Sequence, residues 1–259
     1  MQKVFKLIVT MLAAFIATNS FAMDIGAMSQ MKTPYSVEVF CENFERDTSA
    51  FDGFYNDHYT GTQDEKRTMA RFKYAPLQNW AIAFEAGAAD SEYSDGYAPI
   101  FGLGSHVVVF QRNGFYASVF AKATYAYDIE YIQKNSGDID GLHIELRTEL
   151  TEEYWEYGAG FQIGKDWSPC SGARITGYTG AMASWISAEQ EMVFNYVITN
   201  PLDTVSGSEK IDNYDFEEDQ PYIFFAGVEA TLTKYEIGIR AESRFYDRTS
   251  FSVGLFKNF

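Results

Sequence analysis

Three groupings of side chains in this 259-residue sequence have types that chemistry uses. Asp138 and Asp140 stand i, i+2 with His143 close behind, and Asp57-His58 is a second acid–imidazole pair. An acid and an imidazole activate water only if both converge within hydrogen-bond reach. Asp57 and His58 are adjacent, so in an extended segment they point to opposite sides. Ser105-His106 has the same defect as the core of a lipid hydrolase, which needs serine, histidine and acid together. His106 is expected instead to face inward. The three histidines include no close pair, which leaves a zinc site without support. The third grouping is acidic: Asp212, Asp215, Glu217, Glu218 and Asp219. Such carboxylates can hold Ca²⁺ or Mg²⁺ loosely through oxygen, although the spacing is not that of an EF-hand and a solvated acidic face is the plainer reading. No catalytic residue, resident metal or other cofactor is expected.

Composition narrows the setting for these groups. Lys and Arg number 20 against 36 Asp and Glu, a formal charge of −16, which argues against nucleic acid as a partner. Hydrophobic residues make up 46% and aromatics 17%, too much apolar material for a disordered chain. Lys3 and Lys6 precede an apolar run from Leu7 to Ile16, and Ser20-Phe21-Ala22 brings small residues to a cleavage site after Ala22. These are the parts of a secretory signal peptide over residues 1–22, with 23–259 as the exported chain. The run is only about 10 residues, half of what a spanning helix needs, and no longer apolar stretch follows it. Helical membrane spans are therefore excluded.

What must position the side chains is a set of alternating segments. Phe115, Ala117, Val119, Ala121 and Ala123 share one face, with Tyr116, Ser118, Phe120 and Lys122 on the other. Trp155, Tyr157, Ala159, Phe161 and Ile163 repeat the pattern, as do Tyr235, Ile237, Ile239 and Ala241. Period two over such lengths means strands with one apolar and one polar surround. Ten segments are expected, near 35–45, 67–75, 80–89, 100–111, 115–128, 153–165, 173–187, 221–233, 235–245 and 250–259. Their connections alternate between tight turns, such as Arg112-Asn113-Gly114, and long stretches near 46–66, 90–99, 129–152 and 188–220. Short turns on one side and long loops on the other are what an up-and-down antiparallel transmembrane β-barrel gives, so the fold class is all-β with ten strands, eight or twelve being the other counts. The 129–152 connection reads as a hairpin or as a short helix over 142–154; the hairpin needs one frame change, placed near Thr151.

The chain ends Phe251-Ser252-Val253-Gly254-Leu255-Phe256-Lys257-Asn258-Phe259. This resembles the terminal strand of Gram-negative outer-membrane barrel proteins, in which the final Phe, here Phe259, belongs to the signal read by the barrel-assembly machinery. Lys257 departs from the aromatic or apolar residue that the family usually carries two before the end. The resemblance implies outer-membrane lipid and lipopolysaccharide as surroundings; a monomer is expected, with a structural or surface-interaction role in which the acidic, aromatic outer loops meet an extracellular partner. Ten-stranded relatives include the omptin proteases, whose rim carries paired aspartates and an Asp-His couple with one residue between. Asp57-His58 lacks that residue, so an enzyme is not expected.

With the apolar parity on lipid, the inside holds Glu38, Glu42, Arg71, Lys73, Glu85, His106, Lys122, Glu156, Arg174, Glu229, Glu236, Arg240, Glu242 and Arg244. Unpaired charges in a narrow lumen cost several kcal/mol each, and ten strands leave a bore little wider than the eight that side chains can fill. The lumen is expected to be plugged by ion pairs, the alternative being a narrow wet pore. Cys41 should face lipid and Cys170 a distant turn, so two free thiols are expected.

Overall fold

The structure, a computed structural model, describes residues 26–27, 33–52, 57–91, 96–139, 142–170, 172–199, 204–217, 222–246 and 248–259. The signal peptide expected over 1–22 lies outside them. The strands are β1 (Tyr35–Asp52), β2 (Asp57–Leu77), β3 (Trp80–Ser91), β4 (Ala98–Arg112), β5 (Phe115–Ile139), β6 (Leu142–Cys170), β7 (Ala173–Thr199), β8 (Thr204–Glu217), β9 (Tyr222–Leu232), β10 (Ile237–Tyr246) and β11 (Arg248–Asn258). Ten of them form a closed up-and-down antiparallel wall. β1 meets β11 from Ser36↔Asn258 to Arg46↔Arg248, so the wall has no free edge. The eleventh, β8, stands on top of β9: both pair with β7, β8 along Ala188–Thr199 and β9 along Ala173–Ala183.

Closure explains the alternation. In hydrocarbon no water is present to satisfy backbone amides and carbonyls, so each strand needs a neighbour on both sides. Val39, Phe72, Phe84, Leu103, Phe161 and Leu255 are large, apolar and exposed on the outer face, an arrangement that suits lipid rather than water. Aromatic clusters border this band. Tyr35 stacks on Tyr74 with ring centroids 5.4 Å apart at the tight-turn end, and Trp155 stacks on Tyr125 at 4.6 Å toward the long-connection end. From Phe115 to Tyr125 the chain covers about 34 Å of strand, roughly the 25 Å apolar band of such barrels once tilt is applied.

The tight turn between β4 and β5 shows the local chemistry. Arg112 pairs with Phe115, leaving Asn113 and Gly114 as a two-residue loop with φ of 51° and 79°. Positive φ at both central positions matches the twist of the flanking strands, and Asn-Gly is the pair best able to adopt it.

Several expectations change. Much of the stretches 46–66, 129–152 and 188–220 is strand, because β1, β2, β5, β6, β7 and β8 continue past the apolar band. The 129–152 region is a hairpin throughout its described length, with no helix over 142–154. The frame change lies in β5 and not near Thr151. Ala126 faces Tyr154 and Ile129 faces Glu152, so β5 carries one extra residue there, while β6 keeps one parity. Leu146 of β6 shares the parity of Tyr154 rather than that of Trp155.

Candidate functional site: the barrel lumen

Inward-facing residues come from every second position of each strand, so neighbouring strands place them at common heights. One belt runs across five strands. Lys122 Nζ of β5 lies 2.6 Å from Glu85 Oε2 of β3, and Arg71 Nε of β2 donates to Glu85 Oε1 at 2.5 Å. Arg71 Nη1 also donates to Glu38 Oε2 of β1 at 3.0 Å, and Arg240 Nη2 of β10 reaches Glu38 Oε1 at 2.6 Å. β11 lies between β10 and β1, and the Arg240–Glu38 pair passes over Gly254, where a Cβ would stand 2.4 Å from Glu38 Oε1. A glycine there lets the belt close across that strand.

A second group lies nearer the long connections. Arg67 of β2 contacts Glu65, stands 3.5 Å from Glu156 and 3.9 Å from Glu42, and donates to the Tyr154 hydroxyl at 2.7 Å. Tyr154 and Glu156 belong to β6, four strands away around the wall, so these contacts cross the bore. Beside Arg240, Arg244 Nη2 donates to Glu242 Oε1 at 3.0 Å and the Tyr178 hydroxyl donates to Glu242 Oε2 at 3.0 Å.

Glu38, Glu42, Arg71, Glu85, His106, Glu156, Arg240, Glu242 and Arg244 are all buried inside the wall. Lys73, Lys122, Arg174 and Glu229 are half-buried. Glu236 does not belong with them: it ends the Thr233–Glu236 turn before β10, with φ of 49°. The turn absorbs residues that strict alternation had assigned to a strand. Sequence reading missed Arg67 and Glu65, although Arg67 shares the parity of Arg71 and that signal was available. It also missed that much of the lumen is apolar. Val108, Tyr116, Phe120, Tyr178, Met182, Ile223 and Phe225 form one cluster, and Phe40, Met69, Ile100, Tyr154 and Ile186 belong to another. A cavity of about 30 Å³ bordered by Lys73, Glu85, His106 and Lys122 has room for one or two waters.

At the outer hairpin, His143 Nδ1 lies 2.8 Å from Asp138 Oδ1 and its Nε2 lies 3.4 Å from Glu145 Oε1. The hydrogen bond with Asp138 raises the His143 pKa above its ordinary 6.5. Asp140 lies outside the described residues. Asp57 and His58 sit in β2, opposite Asp52 and Phe51. Of the acidic cluster, Asp212, Asp215 and Glu217 belong to β8 and not to a loop, while Glu218 and Asp219 lie outside the described residues. Among the described residues no group of three or more His, Cys, Asp or Glu is placed to hold a metal. Cys41 is a free, exposed thiol on β1. The Phe259 amide donates to the Tyr35 carbonyl at 2.9 Å, which ties the chain end to the seam.

The described strands make a closed, antiparallel, up-and-down β-barrel with large apolar side chains on its outer face and charged and aromatic side chains on its inner face. No family model and no curated protein matches the sequence. Among solved structures, the translocator domain of the autotransporter NalP from Neisseria meningitidis is similar over 90% of this chain and 91% of its own, at 11% identity and a TM-score of 0.45. The beta domain of the Bordetella autotransporter Brka matches 88% of this chain and all of its own, at 13% identity and a TM-score of 0.33. The monoaromatic hydrocarbon channel CymD matches 88% of this chain and 89% of its own, at 8% identity and a TM-score of 0.28.

Proposed function

We propose that the chain is exported by its N-terminal signal, inserted as a monomer into the outer membrane of a Gram-negative bacterium, and serves there as a closed barrel that carries a surface-interaction platform. The observation that carries this reading is the transverse belt from Lys122 through Glu85, Arg71 and Glu38 to Arg240, which spans the lumen together with the Arg67 group. A filled bore leaves the outer face as the working surface. That face is a sheet formed where β5, β6, β7 and β8 run on beyond Trp155, paired in register as far as Ile139↔Leu142 and Thr199↔Thr204. From Trp155 to Leu142 it extends about 44 Å of strand, long enough to stand clear of lipid headgroups.

The platform is acidic. Glu189 lies opposite Glu153 on one side and Asp215 on the other, a row of like charges across three strands. Like charges in register are destabilising, and Ca²⁺ or Mg²⁺ shared with lipopolysaccharide phosphates would relieve the repulsion. The partners are therefore lipopolysaccharide and an extracellular surface, with the barrel-assembly machinery acting through the Phe259 end. A non-enzymatic role fits the outer rim, where a carboxylate stands against each ring nitrogen of His143.

The second reading, a narrow porin, is favoured by the water-sized cavity beside His106. Single-channel recording in planar bilayers separates the two. The closed-barrel reading predicts no steady openings from the purified, folded chain. Steady openings whose ion selectivity changes on Lys122→Glu would replace it with the porin.

A further inference from the structure

We propose that the dipeptide Gly26-Ala27 is a stopper seated in a peptide-binding cradle of the lumen, and that its seating beside β6, β9 and β10 completes the closure that the ion-pair belt gives the rest of the bore. The inference deepens the closed-barrel reading and rests on it. Gly26 is buried, and its hydrogen-bond partners are distant in sequence. Its amide donates to Glu242 Oε2 of β10 at 2.9 Å, and the Ala27 amide donates to Glu229 Oε1 of β9 at 2.7 Å. Gln162 Nε2 of β6 donates to the Gly26 carbonyl at 2.9 Å. Two consecutive amides and the carbonyl between them are thus held by side chains from three strands of the wall. Such charge-assisted bonds to carboxylates are the stronger kind.

The cradle is itself fixed. Glu242 accepts from Tyr178 and Arg244, and Gln162 Oε1 accepts from the Tyr116 hydroxyl at 2.8 Å. Ala27 packs against the apolar cluster that contains Tyr116, Phe120 and Phe225. Gly26 has φ of 71°, a conformation that suits glycine, and a Cβ there would stand 2.6 Å from Arg240 Nη1. The backbone conformation therefore favours glycine at 26. The receptor chemistry is that of a Gly-Ala peptide unit: two carboxylates for its amides and an amide donor for its carbonyl. An added peptide of the same sequence has the same groups to offer.

The test compares the folded chain beginning at Met23 with a chain lacking residues 23–32, each recorded in planar bilayers after its fold is checked by heat-modifiable migration. The expected result is no steady openings from the first and steady openings from the second. A synthetic peptide of residues 23–30 should close the shortened barrel, and the same peptide with Gly26→Trp should not. Steady openings from the chain beginning at Met23 would end the closed-barrel reading and this inference together. Two closed barrels, both folded, would overturn the stopper alone and leave the ion-pair belt as what closes the bore. Block by the Gly26→Trp peptide would overturn the cradle. Should the shortened chain not fold, Ala27→Cys in a Cys41→Ala, Cys170→Ala background decides the matter. A charged thiol reagent should then label residue 27 on the order of 100-fold more slowly in the folded barrel than in urea, and equal rates would overturn the seating.

Discussion

Arg71 is the cation on which the lumen belt turns, with Glu85 on one side and Glu38 on the other, all three buried. Removing one member of a buried charge group leaves the others uncompensated, which typically costs about 3–5 kcal/mol. Arg71→Met should lower unfolding stability in lipid by that order. Adding Glu85→Gln to Arg71→Met should recover part of it; urea titration of the single and double variants measures both, and a double variant no more stable than Arg71→Met would contradict the coupling. His143, at the other extreme, is exposed. Its pKa is raised because Asp138 favours the protonated ring, so the pairing stabilises the hairpin fully below pH 6.5 and loses that contribution as pH rises through the raised midpoint. An NMR titration should place the His143 midpoint above 6.5 in the folded protein, and Asp138→Asn should move it down.

At the scale of elements, the two ends of the barrel obey different rules. Tight turns are dictated by backbone geometry. Gly114 has φ of 79°, and a Cβ there would lie 2.8 Å from the Asp166 carbonyl oxygen. Gly114→Ala should therefore destabilise the barrel by about 1–3 kcal/mol and slow its insertion, read from the rate of heat-modifiable band formation. At the far end strands run on for as long as they find partners. β6 pairs with β5 and β7 along nearly its whole length, and β8 extends the sheet beside the outer half of β7. The extra residue in β5 between Ala126 and Ile129 increases local twist where the strand leaves the apolar band, and this re-aims the outer sheet without a break in pairing.

For the whole molecule, closure is the organising fact. The β1–β11 seam removes the open edges that a sheet of this size would otherwise present. Part of the acidic excess behind the formal charge of −16 lies on the outer sheet, where Glu189 stands in register between Glu153 and Asp215. Chelation of Ca²⁺ and Mg²⁺ should lower the Tm of the barrel in lipopolysaccharide-containing bilayers, and Glu189→Gln should shrink the difference between chelated and loaded samples. An unchanged Tm on chelation would leave the acidic row as a solvated face.

Period two, the count of alternating segments and tight turns such as Asn113-Gly114 made a barrel of ten wall strands legible in the sequence, with eight or twelve as the other counts, because strand faces and tight turns are local properties of the chain. The parity that puts Glu38, Arg71, Glu85 and Arg240 inside is equally local. Which of them meet was decided only in the tertiary structure, since Arg240 and Glu38 touch across β11 and Arg67 reaches Tyr154 across the bore, contacts that depend on closure and shear. The site of the β5 bulge, the turn position of Glu236 and the seat of Gly26 among Glu229, Glu242 and Gln162 belong to the same class. Alternation tells which way a side chain faces. What it faces is set by other strands, from neighbours in sequence to partners as distant as Glu38 is from Arg240.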